Sequence, residues 1–454
     1  MLRRVLVVAY YFPPSGGPGV QRVLKHVRYL PEFGWEPVVL TVRDGEFPAR
    51  DPSLLQELPP NVHVERTPIL EPYALYRCLT RRHGTPIDVQ VLTTEPPRRS
   101  IAERLAHWIR ATFFIPDARV GWLLTALPAA RRLLRRYRIE VLYSSSPPYT
   151  CALIARQLKR RYGLPWIAGF RDPWTGFLTT PRRWWLPAWI DRRLEHSVFR
   201  EADLIECAWE GIAEDALRKY SDLPAEKFVH IPNGFDPADY PPAPTERNAR
   251  FTLTYSGSLY GRRNPAVVLA ALELLQRSGQ LRAEELCFRI VGRCGEDVLQ
   301  TLRQSPLFDS IELTGYVPHR ESLRHVVSSD ALLLIVDDAP ESHAIVPGKL
   351  FEYLGAGKPI LAIAPHGSAV ERLLHQTGCG EVAERTEVER CAEILHRYIR
   401  AWRGEKVPLP QPRPEVIRQY ERRTAAQRLA QLLDQLSALQ PRQKDHYPQH
   451  HRAE

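Results

Sequence analysis

The chain has 454 residues, which is too long for one ordinary hydrophobic core and favours two domains. Its composition, 44% hydrophobic and 25% charged, is that of a globular protein. The net charge of +10 predicts an anionic partner, namely nucleic acid, a phosphorylated ligand or an anionic membrane, although an arginine-rich genome would give the same composition.

Neither the apolar runs nor the cysteines indicate a membrane-spanning or secreted chain. No window approaches ~20 uninterrupted apolar residues, and the opening MLRRVLVVAYYF predicts a strand rather than a signal peptide. The seven cysteines form no Cys-x-x-Cys pair and fit small buried side chains in a reducing compartment. We therefore expect a cytoplasmic protein.

Short β-type runs alternate with helical segments along most of the chain. Several runs are apolar on both faces, as parallel strands covered by helices are. The predicted fold class is α/β, with two Rossmann-like, doubly wound domains. The strand candidates are VLVVAY, EPVVLTV, VHVER, IEVLYSS, PWIAGF, DLIECA and FVHIP, then FTLTYSG, CFRIVG, IELTG, ALLLIV and PILAIA.

Prolines mark the predicted domain boundary. Five of them lie in IPNGFDPADYPPAPTERNARF, residues 231–251, where they forbid a continuous helix or a central strand. The predicted parts are an N-terminal acceptor-side domain at 1–235, a Pro-rich linker at 236–250, a C-terminal domain at 251–405, a helix at 414–439 and a disordered tail at 440–454.

The loop after the first strand, SGGPG, is the first candidate site. Ligands of open parallel sheets bind beyond the carboxyl ends of the strands, and the amides of Gly16 and Gly17 before a helix could hold an anion. Pro18 breaks the dinucleotide fingerprint, and a simple tight turn is the alternative. Arg22, one turn into the helix, would face the same side.

The loop FRDPW follows the strand PWIAGF and supplies the candidate catalytic residue. Asp172, flanked by Arg171, stands where a carboxylate can hold a reacting hydroxyl or act as a base. The alternatives are a helix N-cap and a structural ion pair between these two residues.

Loops of the C-terminal half combine cations with one carboxylate. Gly257 permits a turn at a strand end, and Arg262 or Arg263 can reach a diphosphate there. Lys349 and Glu352 share one helix face, where the cation suits phosphate and the carboxylate suits ribose hydroxyls. An ion pair between these two side chains is the alternative.

Three motifs carry a family resemblance: IPNGFD at 231–236, GYVPHRESLRHVVSSDALLLI and PGKLFEYLGAGKPIL. With them the chain resembles retaining nucleotide-sugar glycosyltransferases of the GT-B fold, of the bacterial group 1 or family 4 type, and FRDPW resembles a bacterial subset. The resemblance implies two Rossmann-like domains facing across a cleft, with the nucleotide sugar on the C-terminal domain and the last helix packed on the N-terminal one. Neither a metal nor a cofactor is implied, because cations carry the leaving diphosphate.

The resemblance also assigns residues. It places Tyr316 and Val317 at the nucleobase and Glu352 at the ribose, and it puts Arg263 or Arg262 where the family has a phosphate-binding lysine. The implied donor-binding set is Gly257, Arg262, Arg263, Tyr316, Val317, Lys349, Leu350 and Glu352. The implied acceptor-side set is Gly16, Gly17, Arg22 and Arg171, with Asp172 as the catalytic residue.

Two departures blur the sugar specificity. Ala344 stands where the family often has a sugar-binding Glu, with Glu341 displaced, and Ser258 replaces the usual Arg. They also raise a rival hypothesis, a non-catalytic nucleotide-sugar binder. A second rival is a nucleotide-sugar epimerase, which uses the same fold without an acceptor. Nucleic-acid binding is the weakest hypothesis, because no recognition module is present.

Basic amphipathic segments suggest a membrane surface. Three segments combine Arg with apolar side chains: IAERLAHWIRATFF (101–114), with Trp and Phe, PRRWWLPAWIDRR (181–193), with three Trp, and ARRLLRRYR (130–138). Burial of their apolar faces in the domain is the alternative. The favoured prediction is a transferase in cell-envelope polysaccharide biosynthesis that acts on a glycan or lipid-linked acceptor and lies peripherally on the inner face of the plasma membrane.

Overall fold

The computed structural model describes residues 3–47, 49–70, 108–177, 180–242, 244–337 and 343–439. The predicted tail at 440–454, Glu341 and the first seven residues of the 101–114 segment lie outside the described residues. The chain divides into two compact units, one formed by Met1–Pro232 with Ala425–Glu454 and the other by Asn233–Thr424.

The first unit contains a seven-stranded, wholly parallel sheet in the order β3-β2-β1-β4-β5-β6-β7. Its strands are β1 (Arg3–Ala9), β2 (Trp35–Val42), β3 (His63–Thr67), β4 (Ile139–Ser146), β5 (Trp166–Phe170), β6 (Leu204–Cys207) and β7 (Phe228–His230). Its helices are α1 (Pro18–Tyr29), α2 (Leu123–Arg136), α3 (Thr150–Tyr162), α4 (Trp185–Glu201) and α5 (Glu210–Lys219), and residues 108–113 are also helical.

Both faces of this sheet are covered, as the doubly apolar strands require. Val5 and Val7 of β1 pack in one cluster, whereas Leu6 and Val8 pack in another on the opposite face. The alternation follows from the two-residue period of a strand, and each fully buried side chain of this kind contributes about 1.5–3 kcal/mol. Helix α1 begins with Pro18 at its first turn, where a missing N–H costs nothing.

The second unit contains a six-stranded parallel sheet in the order β10-β9-β8-β11-β12-β13. Its strands are β8 (Phe251–Ser256), β9 (Leu286–Val291), β10 (Ile311–Gly315), β11 (Ala331–Ile335), β12 (Ile360–Ile363) and β13 (Gly380–Ala383). Its helices are α6 (Ala266–Arg277), α7 (Glu296–Gln304), α8 (His319–Val327), α9 (Gly348–Ala356), α10 (Ala369–Thr377), α11 (Val388–Trp402) and α12 (Pro414–Ile417), and α13 (Arg422–Leu439) continues into the first unit.

The predicted doubly wound α/β architecture is confirmed, and all twelve strand candidates are strands. The sequence prediction missed β13, which is only four residues long. The prediction of a single helix at 414–439 is wrong, because the 3₁₀ turn Arg418–Tyr420 separates α12 from α13. From Ala425 onward, α13 packs Leu429 and Leu433 on the β1 face of the first sheet.

One of the three basic segments is explained by packing alone. Residues 130–138 lie mostly in α2, whose Leu133 and Leu134 are buried in the core. Arg132 of the same helix lies 3.3 Å from a carboxylate oxygen of Glu65. Within the described residues, no helix is long and apolar enough to cross a membrane.

Candidate active site

The strand order of the second unit reverses between β8 and β11. Such a switch point leaves a crevice beyond the carboxyl ends of the two strands, where ligands of open α/β sheets bind. Below this crevice, the Tyr353 side chain of α9 forms hydrogen bonds to both β8 and β11. Its hydroxyl accepts from the Ser256 amide (2.8 Å) and donates to the Leu333 carbonyl (3.1 Å).

Two glycines close the ends of β8 and β9. Gly257 has φ +122°, and a Cβ atom there would lie 2.5 Å from Lys349 Nζ. Gly292 has φ +143°, and a Cβ atom there would lie 2.2 Å from the Gly257 carbonyl oxygen. Both positions therefore require glycine for backbone conformation and for space. The first of them lets Lys349 reach the strand end.

Lys349 holds the central cation of this crevice. Its ammonium donates to the Tyr255 hydroxyl at 2.6 Å and lies 4.0 Å from the centroid of the same ring. The pKa of Lys349 is lowered to about 7, mainly by burial and then by the charge of Arg263, with Glu352 opposing the change. An anionic ligand would reverse this effect by favouring the charged form.

The structure distinguishes the two candidate arginines. The charge of Arg263 lowers the pKa of Lys349 and also acts on Tyr255, so Arg263 lies near enough to affect both groups. Its guanidinium carbon is 5.6 Å from the centroid of the Tyr260 ring. Arg262 is exposed, and its backbone carbonyl accepts a hydrogen bond from Arg385. Arg263 is therefore the second cation of the crevice.

Glu352 lies one turn along α9 from Lys349, and its side chain is 26% exposed. His319 Nε2 lies 3.0 Å from its Oε1 atom, and the Tyr240 hydroxyl donates to its backbone carbonyl at 2.7 Å. Burial would raise the pKa of Glu352, but His319 and more distant cations lower it overall, so the carboxylate is ionised. Among the described residues Oε2 has no hydrogen-bond partner and can accept from a ligand hydroxyl.

The alternative interpretation of Lys349 and Glu352 as an ion pair is wrong. Each side chain has a different partner, the Tyr255 hydroxyl and the His319 ring respectively. Sequence reasoning missed these two partners as site residues. The signals were available, because Tyr255 precedes the strand-end glycine by two residues and His319 begins α8 directly after the GYVP turn.

The remaining predicted donor residues differ in position. Tyr316 is 48% exposed, and its ring centroid lies 5.4 Å from the Arg293 guanidinium carbon. Val317 is half-buried beside it. The assignment of Leu350 is wrong, because its side chain is fully buried and its amide donates to the Pro347 carbonyl at 3.0 Å.

The positions that depart from the family pattern lie in loops. Ser258 follows β8, and its carbonyl accepts from the Tyr255 hydroxyl at 3.2 Å. Ala344 is exposed and lies just after the segment 338–342, which is outside the described residues. Neither residue supplies a charge to the crevice.

In the first unit, the opening glycine loop is packed against its neighbours. Gly17 has φ +94° and precedes α1, a conformation that favours glycine. The Gly16 amide donates to the Ala49 carbonyl at 2.9 Å, so it cannot also bind a phosphate. A Cβ atom on Gly19 would lie 2.1 Å from Arg171 Nη1. The missing side chain at Gly19 therefore makes room for Arg171, a contact that the sequence did not reveal.

The assignment of Arg22 to the acceptor side is wrong. Arg22 is 1% exposed and forms a buried ion pair with Glu206. It also donates to the carbonyls of Ile231 (2.6 Å) and Pro232 (3.1 Å). Tyr143 donates to the second oxygen of Glu206 at 2.7 Å. This network lies in the core of the first unit. It binds the carbonyls at the end of Met1–Pro232, the longer of the two stretches of chain that form this unit.

Asp172 follows β5 and is half-buried. Within the described residues its carboxylate has no hydrogen-bond or ion-pair partner, so neither alternative, an N-cap or an ion pair with Arg171, is realised. Burial raises the pKa of Asp172, and the nearby Arg171 charge opposes the rise. A carboxylate with a raised pKa and no partner is suited to accept a proton.

The loop around Asp172 is held by buried aromatic side chains. Trp174 stacks on Tyr149 with ring centroids 4.6 Å apart, and its Nε1 donates to Asp191 Oδ1 at 2.8 Å. The Tyr149 hydroxyl donates to the Pro173 carbonyl at 2.5 Å. Asp172 is thus a carboxylate without a partner on a rigid loop, which is the arrangement expected of a functional group.

Comparison with known proteins gives one family match. A family model described as Glycosyltransferase Family 4 matches residues 72–239. No curated protein sequence matches the chain at a significant level.

Solved structures match the whole chain at low sequence identity. HepE from Anabaena, solved with UDP-glucose, has a TM-score of 0.59 and 14% identity, covering 95% of this chain and 99% of its own. Sucrose-phosphate synthase from Thermosynechococcus elongatus has a TM-score of 0.61 and 12% identity, covering 96% and 100%. WaaG, a glycosyltransferase involved in lipopolysaccharide biosynthesis, has a TM-score of 0.52 and 13% identity, covering 95% and 98%. The two parallel sheets have the GT-B architecture of these neighbours, and together with the family match they support glycosyl transfer.

Proposed function

We propose that this protein transfers a sugar from a nucleotide-diphosphate donor to a hydroxyl of a glycan or lipid-linked acceptor, in the synthesis of a cell-envelope polysaccharide. The observation that carries the proposal is the crevice of the second unit, where Lys349 Nζ lies at the strand end beside Gly257 and Tyr255, and where the charges of Arg263 and Glu352 both act on this lysine. Two cations beside a carboxylate match a diphosphate followed by a ribose.

The donor residues have distinct proposed roles. Lys349 and Arg263 bind the diphosphate and stabilise its charge as it leaves. Glu352 Oε2 accepts from a ribose hydroxyl while His319 fixes Oε1. Tyr316 and Val317 contact the nucleobase. A neighbour of the same fold was solved with UDP-glucose, which supports a uridine donor as the first compound to test.

The proposed reaction breaks the bond between the anomeric carbon and the diphosphate oxygen and forms a bond from that carbon to the acceptor oxygen. The acceptor proton passes to Asp172 or to the departing diphosphate. Retention of anomeric configuration and independence from metal ions are proposed from the family resemblance. Among the described residues, no group of three His, Cys, Asp or Glu side chains could hold a metal ion.

Calorimetry with UDP, GDP and their sugar conjugates tests the donor site. We expect one nucleotide to bind measurably, and Lys349→Met and Glu352→Gln to weaken its binding by about tenfold or more. Lys406→Met removes an exposed lysine of the same unit and serves as the control. Unchanged affinity in both site variants would overturn the assignment.

Turnover tests the role of Asp172. Asp172→Asn keeps the shape of the side chain and removes the base, so we expect a loss of about 10²–10⁴-fold in kcat with nucleotide affinity unchanged. Product analysis separates the rivals, because an epimerase converts the donor sugar without an acceptor and a binder converts nothing. Peripheral attachment to the inner face of the plasma membrane is part of the same proposal, since a lipid-linked acceptor lies there.

A further inference from the structure

Five large aromatic side chains of the first unit are exposed to solvent. Trp108 is 50% exposed, Phe113 67%, Trp184 40%, Trp185 74% and Trp189 52%. We call this set the aromatic surface. All exposed tryptophans of the described residues belong to it, whereas four others are fully buried in the core of the same unit. Exposed tryptophans concentrated in two short segments indicate an interaction surface rather than ordinary packing.

The two segments, 108–116 and 181–193, are joined by one buried side chain. Arg183 donates to the carbonyls of Phe114 (3.1 Å) and Pro116 (2.7 Å) from the second segment to the first. Trp184 Nε1 adds a bond of 3.0 Å to Thr112 Oγ1. The aromatic surface is therefore one rigid surface, although its parts are about seventy positions apart in the sequence.

The charge around the aromatic surface is positive and unbalanced. Arg110, Arg182, Arg192 and Arg193 form no ion pair with the described residues. The guanidinium carbon of Arg193 lies 4.6 Å from the centroid of the Trp189 ring. The only acid in these two segments is Asp191, which is buried and paired with Arg183 at 3.0 Å. Any partner must therefore accept both aromatic rings and uncompensated arginines.

We infer that the aromatic surface docks this protein on an anionic lipid bilayer. Tryptophan rings favour the headgroup level of a membrane, where one edge is apolar and the other is wet. The arginines would meet lipid phosphates at the same depth. A second copy of the chain is disfavoured as the occupant, because it would bring the same four arginines face to face. The inference rests on the proposed function, and it adds the surface by which the protein would contact the membrane that holds a lipid-linked acceptor.

The aromatic surface is linked to the loop that carries Asp172. Asp191 Oδ2 pairs with Arg183 at 3.0 Å, while its Oδ1 accepts from Trp174 Nε1 at 2.8 Å. Trp174 is two residues from Asp172 on the rigid loop. Because this chain of bonds is buried, docking on a membrane would hold the Asp172 loop at a fixed position relative to the bilayer.

Flotation of the full-length protein with vesicles tests the inference. We expect binding to vesicles of phosphatidylcholine with phosphatidylglycerol, little binding to phosphatidylcholine alone, and weakening by salt. Phe113→Ser with Trp185→Ser should reduce the bound fraction by about tenfold or more. The control is Phe308→Ser with Leu313→Ser, which removes two partly exposed apolar residues of the second unit (39% and 41%). A blue shift of tryptophan fluorescence on mixing would support insertion of the rings.

Three results would overturn the inference. They are no binding of the native protein, equal binding of the Phe113 and Trp185 double variant, and a native dimer that this variant dissociates in sedimentation, which would make a second copy the occupant. Nucleotide calorimetry on the same preparations separates the two proposals. Intact nucleotide affinity without vesicle binding removes the docking surface alone, whereas vesicle binding without nucleotide affinity removes the proposed transferase.

Discussion

Lys349 Nζ donates to the Tyr255 hydroxyl at 2.6 Å, in a crevice where burial and the charge of Arg263 together lower the pKa of this lysine to about 7. A bound diphosphate favours the ammonium form and raises this pKa, so binding takes up a proton whenever the solution is above pH 7. We therefore expect affinity for a nucleoside diphosphate to be highest below pH 7 and to fall by about tenfold per pH unit above it, until the pKa of the complex is reached.

Calorimetry at pH 6 to 9 in buffers of different ionisation enthalpy measures both the affinity and the proton uptake. The matched variant is Lys349→Met, which should bind more weakly and show no proton uptake in the alkaline range. A native protein whose affinity stays level from pH 7 to pH 9 would show that this lysine does not meet the diphosphate. The sign follows from linkage, since the ligand-bound state holds more protons than the free state.

Gly257 offers a test of the approach of Lys349 to the strand end. Gly257→Ala places a Cβ atom 2.5 Å from Lys349 Nζ at a residue with φ +122°. We expect about 1–2 kcal/mol of lost stability from backbone strain, together with weaker nucleotide binding because the ammonium is displaced. Denaturant unfolding and calorimetry measure the two effects.

The control for Gly257→Ala is Gly279→Ala, which has a positive φ of +70° but nothing within 4 Å of the added atom. It should lose stability without losing nucleotide affinity. If the two variants bind nucleotide equally well, displacement of Lys349 is not the cause.

Much of the fold and part of the site could be predicted from the sequence. Strands such as β4, β8 and β11 were predictable because a strand buried on both faces is a mostly apolar run, whereas the GEVA of β13 is too polar to give that signal. Leu350 was misassigned because the motif gives a position without a side-chain direction. The Leu350 side chain is buried in the core, away from the more exposed face of α9 that carries Lys349 and Glu352.

The buried position of Arg22 could not be predicted from the sequence. Its helix predicts a buried face through Val20 and Val23, and a charged residue between them is expected in solvent. Glu206 lies 184 positions away in the sequence and supplies a buried charge partner. The pairing depends on the order of strands in the sheet, which local periodicity does not contain.

Arg22→Met should therefore act on stability and not on catalysis. Removing one partner leaves the Glu206 charge buried, which costs about 3–5 kcal/mol of unfolding free energy. Arg22→Met with Glu206→Gln removes both charges and should recover part of that loss. Urea unfolding measures each value, and kcat per folded molecule should stay near the native value in the double variant. A large drop in kcat with full stability would return Arg22 to the acceptor side.

Gly19 and Arg171 give the sharpest test of the opening loop. Arg171 is held by three contacts besides Gly19: its Nη2 donates to the Pro147 carbonyl, its guanidinium carbon lies 5.6 Å from the centroid of the Tyr11 ring, and its backbone carbonyl accepts from Trp209 Nε1 at 3.2 Å. Gly19→Ala would force a Cβ atom against Nη1 of this anchored side chain. We expect a loss of about 1 kcal/mol in stability and a fall in turnover, with nucleotide affinity unchanged.

A double-mutant cycle isolates the contact between Gly19 and Arg171. In an Arg171→Ala background the added methyl group of Gly19→Ala meets open space, so its cost in unfolding free energy should vanish or change sign. Should Gly19→Ala cost the same with and without the arginine, the glycine would serve backbone conformation alone. A coupling of about 1 kcal/mol would instead show that Gly19 lacks a side chain in order to leave room for Arg171 beside Asp172.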